Sequence, residues 1–173
     1  GGLATDAELD TTSGIAIDRN GNIFISSEWA NTIRRIDAET GIIETFAGLN
    51  ARHYPSESGN SRPSLQGVLG TTFGWEPGLS LKGYHGDGGP ASEAAFHHPE
   101  HLAFDSLGDL YVCDNSNNRI RKIDMESGII TTVLGNGQPA SNGDGGPAIE
   151  ASTNMPDAIC IDAHDNLFVA EKH

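Results

Sequence analysis

No apolar run in this 173-residue sequence approaches the roughly 20 residues that a membrane-spanning helix needs, so helical membrane insertion is not expected. Basic residues are scarce: 10 Lys and Arg stand against 24 Asp and Glu, giving a net charge of -14. A nucleic-acid surface needs clustered cations to displace counterions from phosphates. The few here are scattered, as in Arg34-Arg35 and Arg119, Arg121 and Lys122, so nucleic acid and anionic membranes are not expected partners. The acidity points instead to cation binding or to solubility. Two cysteines, Cys113 and Cys160, are too few for a disulfide framework, and their small-residue register inside apolar runs reads as buried free thiols. No Ser/His/Asp or Cys/His arrangement carries a recognisable local signature of nucleophilic catalysis. The first residue is not Met and no signal peptide precedes the first apolar run.

What the sequence has instead is glycine, 22 residues of it, and self-similarity. Gly14-Ile-Ala-Ile-Asp18, His101-Leu-Ala-Phe-Asp105 and Ala158-Ile-Cys-Ile-Asp162 are three related apolar runs. Each is followed by a four-residue polar turn and a second apolar run, at Ile23–Ser27, Leu110–Asp114 and Leu167–Glu171. That pattern is a β-hairpin. The first two copies continue with Thr32–Asp37 and Arg119–Asp124, in which apolar and charged residues alternate as on a half-buried strand. A turn and a fourth run close each unit, at Ile42–Gly48 and Ile129–Gly135. One unit is therefore four consecutive antiparallel strands, here labelled a to d. A block ahead of strand a, Gly86-Asp-Gly-Gly-Pro-Ala91, recurs as Gly143-Asp-Gly-Gly-Pro-Ala148, and Gly1-Gly-Leu-Ala4 matches its second half. Its glycines suit a tight turn with positive φ, with Asp87 and Asp144 expected to cap that turn.

Four-stranded units at this spacing are the signature of propeller blades. The strings N-x-I-R-x-I-D, G-I-I-x-T and G-D-G-G-P-A ahead of strand a resemble the NHL-repeat β-propeller family, in the flavour of bacterial extracytoplasmic NHL-repeat proteins and teneurin-type NHL repeats. A WD40 or kelch array is the alternative, but no Trp-Asp dipeptide closes a strand and no kelch double glycine is present. The expected fold is all-β, a single partial propeller over residues 1–173, with about two and a half blades of a six-bladed ring. The units run over about 14–48, 101–135 and 158–173, the last incomplete, with an inserted loop at 49–83. Neighbouring blades, from a parent chain or from other copies, are expected to complete the ring. The resemblance implies an extracellular or periplasmic location.

In such a propeller strand a lines the channel. The a–b and c–d turns share one face, and the longer, variable b–c and d–a connections share the other. Variable loops on a rigid scaffold carry binding residues, so the second face is the candidate functional face. The inserted loop lies there: Gly86 follows Gly48 by 38 residues, whereas Gly143 follows Gly135 by 8. It carries His53, Tyr54 and Trp75, a lid or recognition loop on one reading and a satellite core on the other. The b–c loops add Trp29 and an acidic residue at one register in all three, Glu28, Asp114 and Glu171, either a cation-holding ring or acceptors for backbone and strand-c arginine. Trp29, His53, Tyr54, Trp75 and Asp114 are thus the candidate ligand-binding residues. Asn31 and Asn118, just before strand c, are expected to make turn-forming bonds. Phe96-His-His-Pro-Glu-His101 gathers three histidines near the channel. The NHL-like peptide-amidating lyase uses histidines at positions that match Ser13, Glu100 and Asp157, none of which is His. A divalent cation, calcium or zinc, at Glu100, His101 and Asp157 is the remaining metal site. The expected function is a non-catalytic module presenting the b–c/d–a face to a protein, peptide or glycan. The alternatives are a metal-dependent lyase or hydrolase at the channel mouth and a purely structural segment.

Overall fold

A computed structural model describes residues 1–49 and 83–172. The inserted-loop candidates His53, Tyr54 and Trp75 lie outside the described residues. Among the described residues the strands are β1 (Gly2–Leu3), β2 (Thr12–Ile17), β3 (Ile23–Ser27), β4 (Thr32–Ile36), β5 (Ile42–Ala47), β6 (Pro99–Phe104), β7 (Leu110–Asp114), β8 (Arg119–Ile123), β9 (Ile130–Leu134), β10 (Pro156–Ile161) and β11 (Leu167–Glu171). They form three antiparallel sheets, in the orders β1-β5-β4-β3-β2, β6-β7-β8-β9 and β10-β11. The first two sheets are complete a-to-d units, and the third is an a–b hairpin. β6 touches both β2 and β10, so the a strands of successive units converge on one side. At Gly14 a Cβ would come within 2.2 Å of the Glu100 carbonyl, which fixes how closely β2 and β6 approach.

The turn chemistry explains why these residues make these hairpins. In each a–b turn the leading aspartate folds back on the backbone as an Asx turn. Asp18 accepts from the Asn20 and Asn22 N–H groups, Asp105 from Leu107, Gly108 and Asp109, and Asp162 from His164 and Asn166. The c–d turns repeat the device, with Asp37 accepting from Glu39 and Thr40, and Asp124 from Glu126 and Ser127. The two turn sets lie together, since Asn22 accepts from the Ala38 N–H and Asp109 from that of Met125, each at 3.0 Å.

The Gly-Asp-Gly-Gly block is more than a turn. Gly88 donates to the Ile130 carbonyl at 2.8 Å and Ile130 to that of Gly89 at 3.0 Å, adding an edge segment to strand d of its own unit. β1 does the same on β5, pairing Gly2 with Ile43 and Leu3 with Ile42. The Ala91 carbonyl then accepts from Gly48 of the preceding unit, and that of Ala148 from Gly135. The block therefore clasps successive units together. Asp87 does not cap its own turn as expected. Its carboxylate reaches strand d, accepting from the Thr132 N–H at 2.9 Å, and strand c, accepting from Arg121.

Between the first and second units lies a core of Phe24, Ile33, Phe96, Leu102, Leu110, Val112, Ile123 and Ile130. Phe24 meets Phe46 and Phe104 edge-on, at 5.0 and 5.2 Å. Between the second unit and the hairpin, Cys113, Ile120 and Ile159 form a smaller core against Tyr111, Leu167 and Val169. Cys113 is buried, as its register implied, and burial raises its thiol pKa. Cys160 is exposed, contrary to expectation, because it lies one residue out of phase with Ile159 and so on the side of the hairpin away from Cys113 and Ile120.

Candidate functional site

Pairing across the a and b strands settles the acidic register. Thr12 opposes Ser27, Pro99 opposes Asp114 and Pro156 opposes Glu171. Glu28 is thus one residue beyond Asp114 and aligns with Asn115, so three carboxylates do not share one position. A strand fixes its side-chain direction by parity, and a one-residue slip sends Glu28 out into the b–c loop.

Asp114 sits inside the second unit with no exposed surface. It accepts from the His97 N–H at 2.8 Å and from Asn117 Nδ2 at 2.9 Å, and lies 3.6 Å from the Arg121 guanidinium. Arg121 is itself fully buried. It donates to Asp87 at 2.7 Å and to the Ala95 and His85 carbonyls at 2.9 Å each. Burial pushes the Asp114 carboxyl up to about 6, against the pull of Arg121 and Asn117. Asp87 is held below the ordinary carboxylate range. Partial burial would raise it, but hydrogen bonds from Thr132 and Tyr84 and the Arg121 charge outweigh that. Asp114–Arg121–Asp87 is a polar pillar joining strands b and c to the clasp. The sequence shows Arg121 alternating with apolar residues, but nothing in its spacing shows that Asp87 meets it.

At the a-strand entries, Glu100 on β6 and Asp157 on β10 come together as expected of the channel side, and Lys172 joins them. Its ammonium lies 2.9 Å from Glu100 Oε1 and 2.8 Å from Asp157 Oδ1. Burial, and hydrogen bonding with Asp157, raise the Glu100 carboxyl to about 7 despite the opposing lysine. Asp157 is lowered by its hydrogen bonds with Glu100 and Lys172, and Lys172 is raised by the two carboxylates. His101 Nδ1 is buried and makes no hydrogen bond among the described residues. Among those residues, no three His, Cys, Asp or Glu side chains are grouped as metal donors.

The b–c/d–a face between the first two units carries a different chemistry. Trp29 is 57% exposed, its ring 5.8 Å from that of His98. His97 packs edge-on against His98 at 4.9 Å. The His98 imidazole lies 3.8 Å from the Glu28 carboxylate and 3.4 Å from the Ser116 hydroxyl. The platform is held from beneath by a recurring bond. Asn31, itself at φ 53, accepts from the N–H of His98 at φ 52, and Asn118, also at φ 53, accepts from that of Met155 at φ 50. The side chains of the asparagines expected to shape their own turns thus fix the d–a loop of the next unit. On the opposite face, Ser106 donates to Asp165 through its N–H at 2.8 Å and its hydroxyl at 2.5 Å, and Arg19 donates to the Ser106 carbonyl.

Comparison with known proteins agrees with this geometry. The Teneurin NHL domain family matches residues 80–142. Teneurin-1 of Gallus gallus is 37% identical over 94 residues, 51% of this chain and 3% of the relative. NHL repeat-containing protein 2 of Gallus gallus is 45% identical over 58 residues, 34% of this chain and 8% of the relative. The chain thus spans a small fraction of either relative. An auxiliary nutrient binding protein from Bacteroides ovatus superposes with a TM-score of 0.61 at 18% identity, over 95% of this chain and 35% of that one. A streptogramin B lyase superposes with a TM-score of 0.52 at 16% identity, over 96% and 36%. At such identities the superpositions speak to the β-propeller fold alone.

Proposed function

From a chain built of NHL-type repeats, we infer a non-catalytic binding module that presents its b–c/d–a loops to a protein, peptide or glycan outside the cytoplasm. The observation that carries this reading is Trp29: a large apolar ring more than half exposed on a face whose backbone is pinned by Asn31 and His98. An exposed aromatic on a rigid frame offers contact area at little cost in conformational entropy. Neighbouring blades, from the same polypeptide or other copies, complete the ring around it. At the channel mouth we read Glu100 and Asp157 as a receptor for the Lys172 ammonium rather than for calcium or zinc, since Lys172 contacts both carboxylates. That reading favours a scaffold role for the channel mouth over a metal-dependent lyase or hydrolase.

The test compares the parent chain with Trp29→Ala on immobilised peptide and glycan arrays. Ligands captured by the parent and lost by the variant, with unchanged thermal unfolding, are the expected result. Identical capture profiles would remove the Trp29 face from the function.

A further inference from the structure

The chemistry around Trp29 narrows the ligand, on the premise that this face is the binding face. We propose that the Trp29 platform recognises a cationic side chain, Lys or Arg, on a basic peptide segment of a protein partner. Indole is the strongest aromatic host for a cation, and the contact strengthens as water is displaced. The indole here is 57% exposed and Glu28 is the next residue in the chain. The indole ring lies 5.8 Å from that of His98, and the Glu28 carboxylate lies 3.8 Å from the same imidazole, so a carboxylate borders the platform on a chain whose net charge of -14 attracts cations from a distance.

An anionic ligand would meet repulsion from the same groups. A neutral glycan would need several side-chain donors and acceptors arranged around the ring to fix its hydroxyls. A cation needs only the indole face and a carboxylate. Because Asn31 fixes the His98 backbone beneath the platform, the geometry is set before the ligand arrives, which favours affinity.

The experiment titrates the full chain with fluorescein-labelled Gly-Lys-Gly-Arg-Gly-Lys, read by anisotropy at 150 mM salt. Gly-Gln-Gly-Gln-Gly-Gln, Gly-Glu-Gly-Glu-Gly-Glu and cellotetraose serve as comparisons. Binding of the basic peptide alone is expected, weakened about two- to thirtyfold by Trp29→Ala, the range a cation–π contact spans. Glu28→Gln should weaken it further and flatten its salt dependence. Thermal unfolding of each variant matches the parent if the effect is local. Equal affinity in parent and Trp29→Ala would reduce the interaction to diffuse charge and overturn the proposal. Trp29-dependent binding of cellotetraose in preference to the basic peptide would overturn the cationic ligand while leaving the binding-module reading intact. Failure of every probe to bind the parent chain also overturns the cationic ligand, and leaves the arrays to decide the binding module.

Discussion

Replacing Arg121 with Met tests the polar pillar most directly, because the substitution keeps volume and removes charge. Arg121 is fully buried, with Asp87, Ala95 and His85 accepting from it and Asp114 at ion-pair distance. Stranding one member of a buried ion pair costs about 3–5 kcal/mol. For a domain of this length each kcal/mol moves Tm by about 2–4 °C, so a drop of about 6–20 °C is expected at pH 7.5. The cost should depend on pH. The Asp114 carboxyl is raised from 3.8 to about 6, so its contribution is complete below pH 3.8 and is lost as pH rises through about 6. Arg121 is the largest influence holding that carboxyl down, so its loss pushes the pKa higher and extends the penalty further up the scale. At pH 5 the carboxyl is mostly protonated in both proteins, and only the unpaired carbonyls and Asp87 remain, about 2 kcal/mol. Urea unfolding at pH 5 and 7.5 measures both values. Adding Asp114→Asn to Arg121→Met should recover stability at pH 7.5 and have little effect at pH 5. A cost below about 1 kcal/mol at pH 7.5, or one equal at both pH values, would refute the pillar.

Asp165 occupies, at φ 61, the turn position that Gly21 and Gly108 fill in the other units, and it holds Ser106. Asp165→Gly relieves about 1 kcal/mol of backbone strain but loses bonds worth more, for a net destabilisation of about 1 kcal/mol in urea unfolding. Glu100→Gln removes a carboxyl raised to about 7, whose contribution is present below pH 4.5 and lost as pH rises through 7. The variant should therefore gain Tm relative to the parent at pH 8 and not at pH 5. Gly48→Ala puts a Cβ 2.6 Å from the Asn31 carbonyl at φ 94, and thermal unfolding should show a loss of at least about 2 kcal/mol.

Much of the scaffold was legible because it is local. Asp18, Asp105 and Asp162 each bond within four residues, so the sequence that names the turn also contains its partners. The glycine block was legible as a repeat but not as a clasp, since its partners Gly48, Gly128 and Ile130 lie well outside its own turn. The same distance hid the pillar: Asp87 and Arg121 are 34 residues apart, joined only once strand d folds beside the block. The acidic register failed for another reason. Glu28 and Asp114 both follow an apolar run, but composition does not mark where the run ends, and one residue decides between a buried carboxylate and a loop.

The two candidate sites differ in the same way. Glu100 and Asp157 stood out because they recur at one repeat position, and recurrence is also what a joint between units requires. Lys172 lies 72 residues from Glu100 and was invisible as its partner, yet it decides the local charge. Above pH 7 the two carboxylates and one ammonium leave a single negative charge, shared across two units, which suits a joint. Trp29 does not recur: the matching residue of the second unit is Ser116, and that of the hairpin is beyond the described residues. Joints between units draw on the repeat, as the Asn31 and Asn118 bonds do. Trp29 departs from the repeat and keeps 57% of its surface exposed even with its ring 5.8 Å from that of His98, and that places the functional expectation on Trp29 rather than on the channel carboxylates.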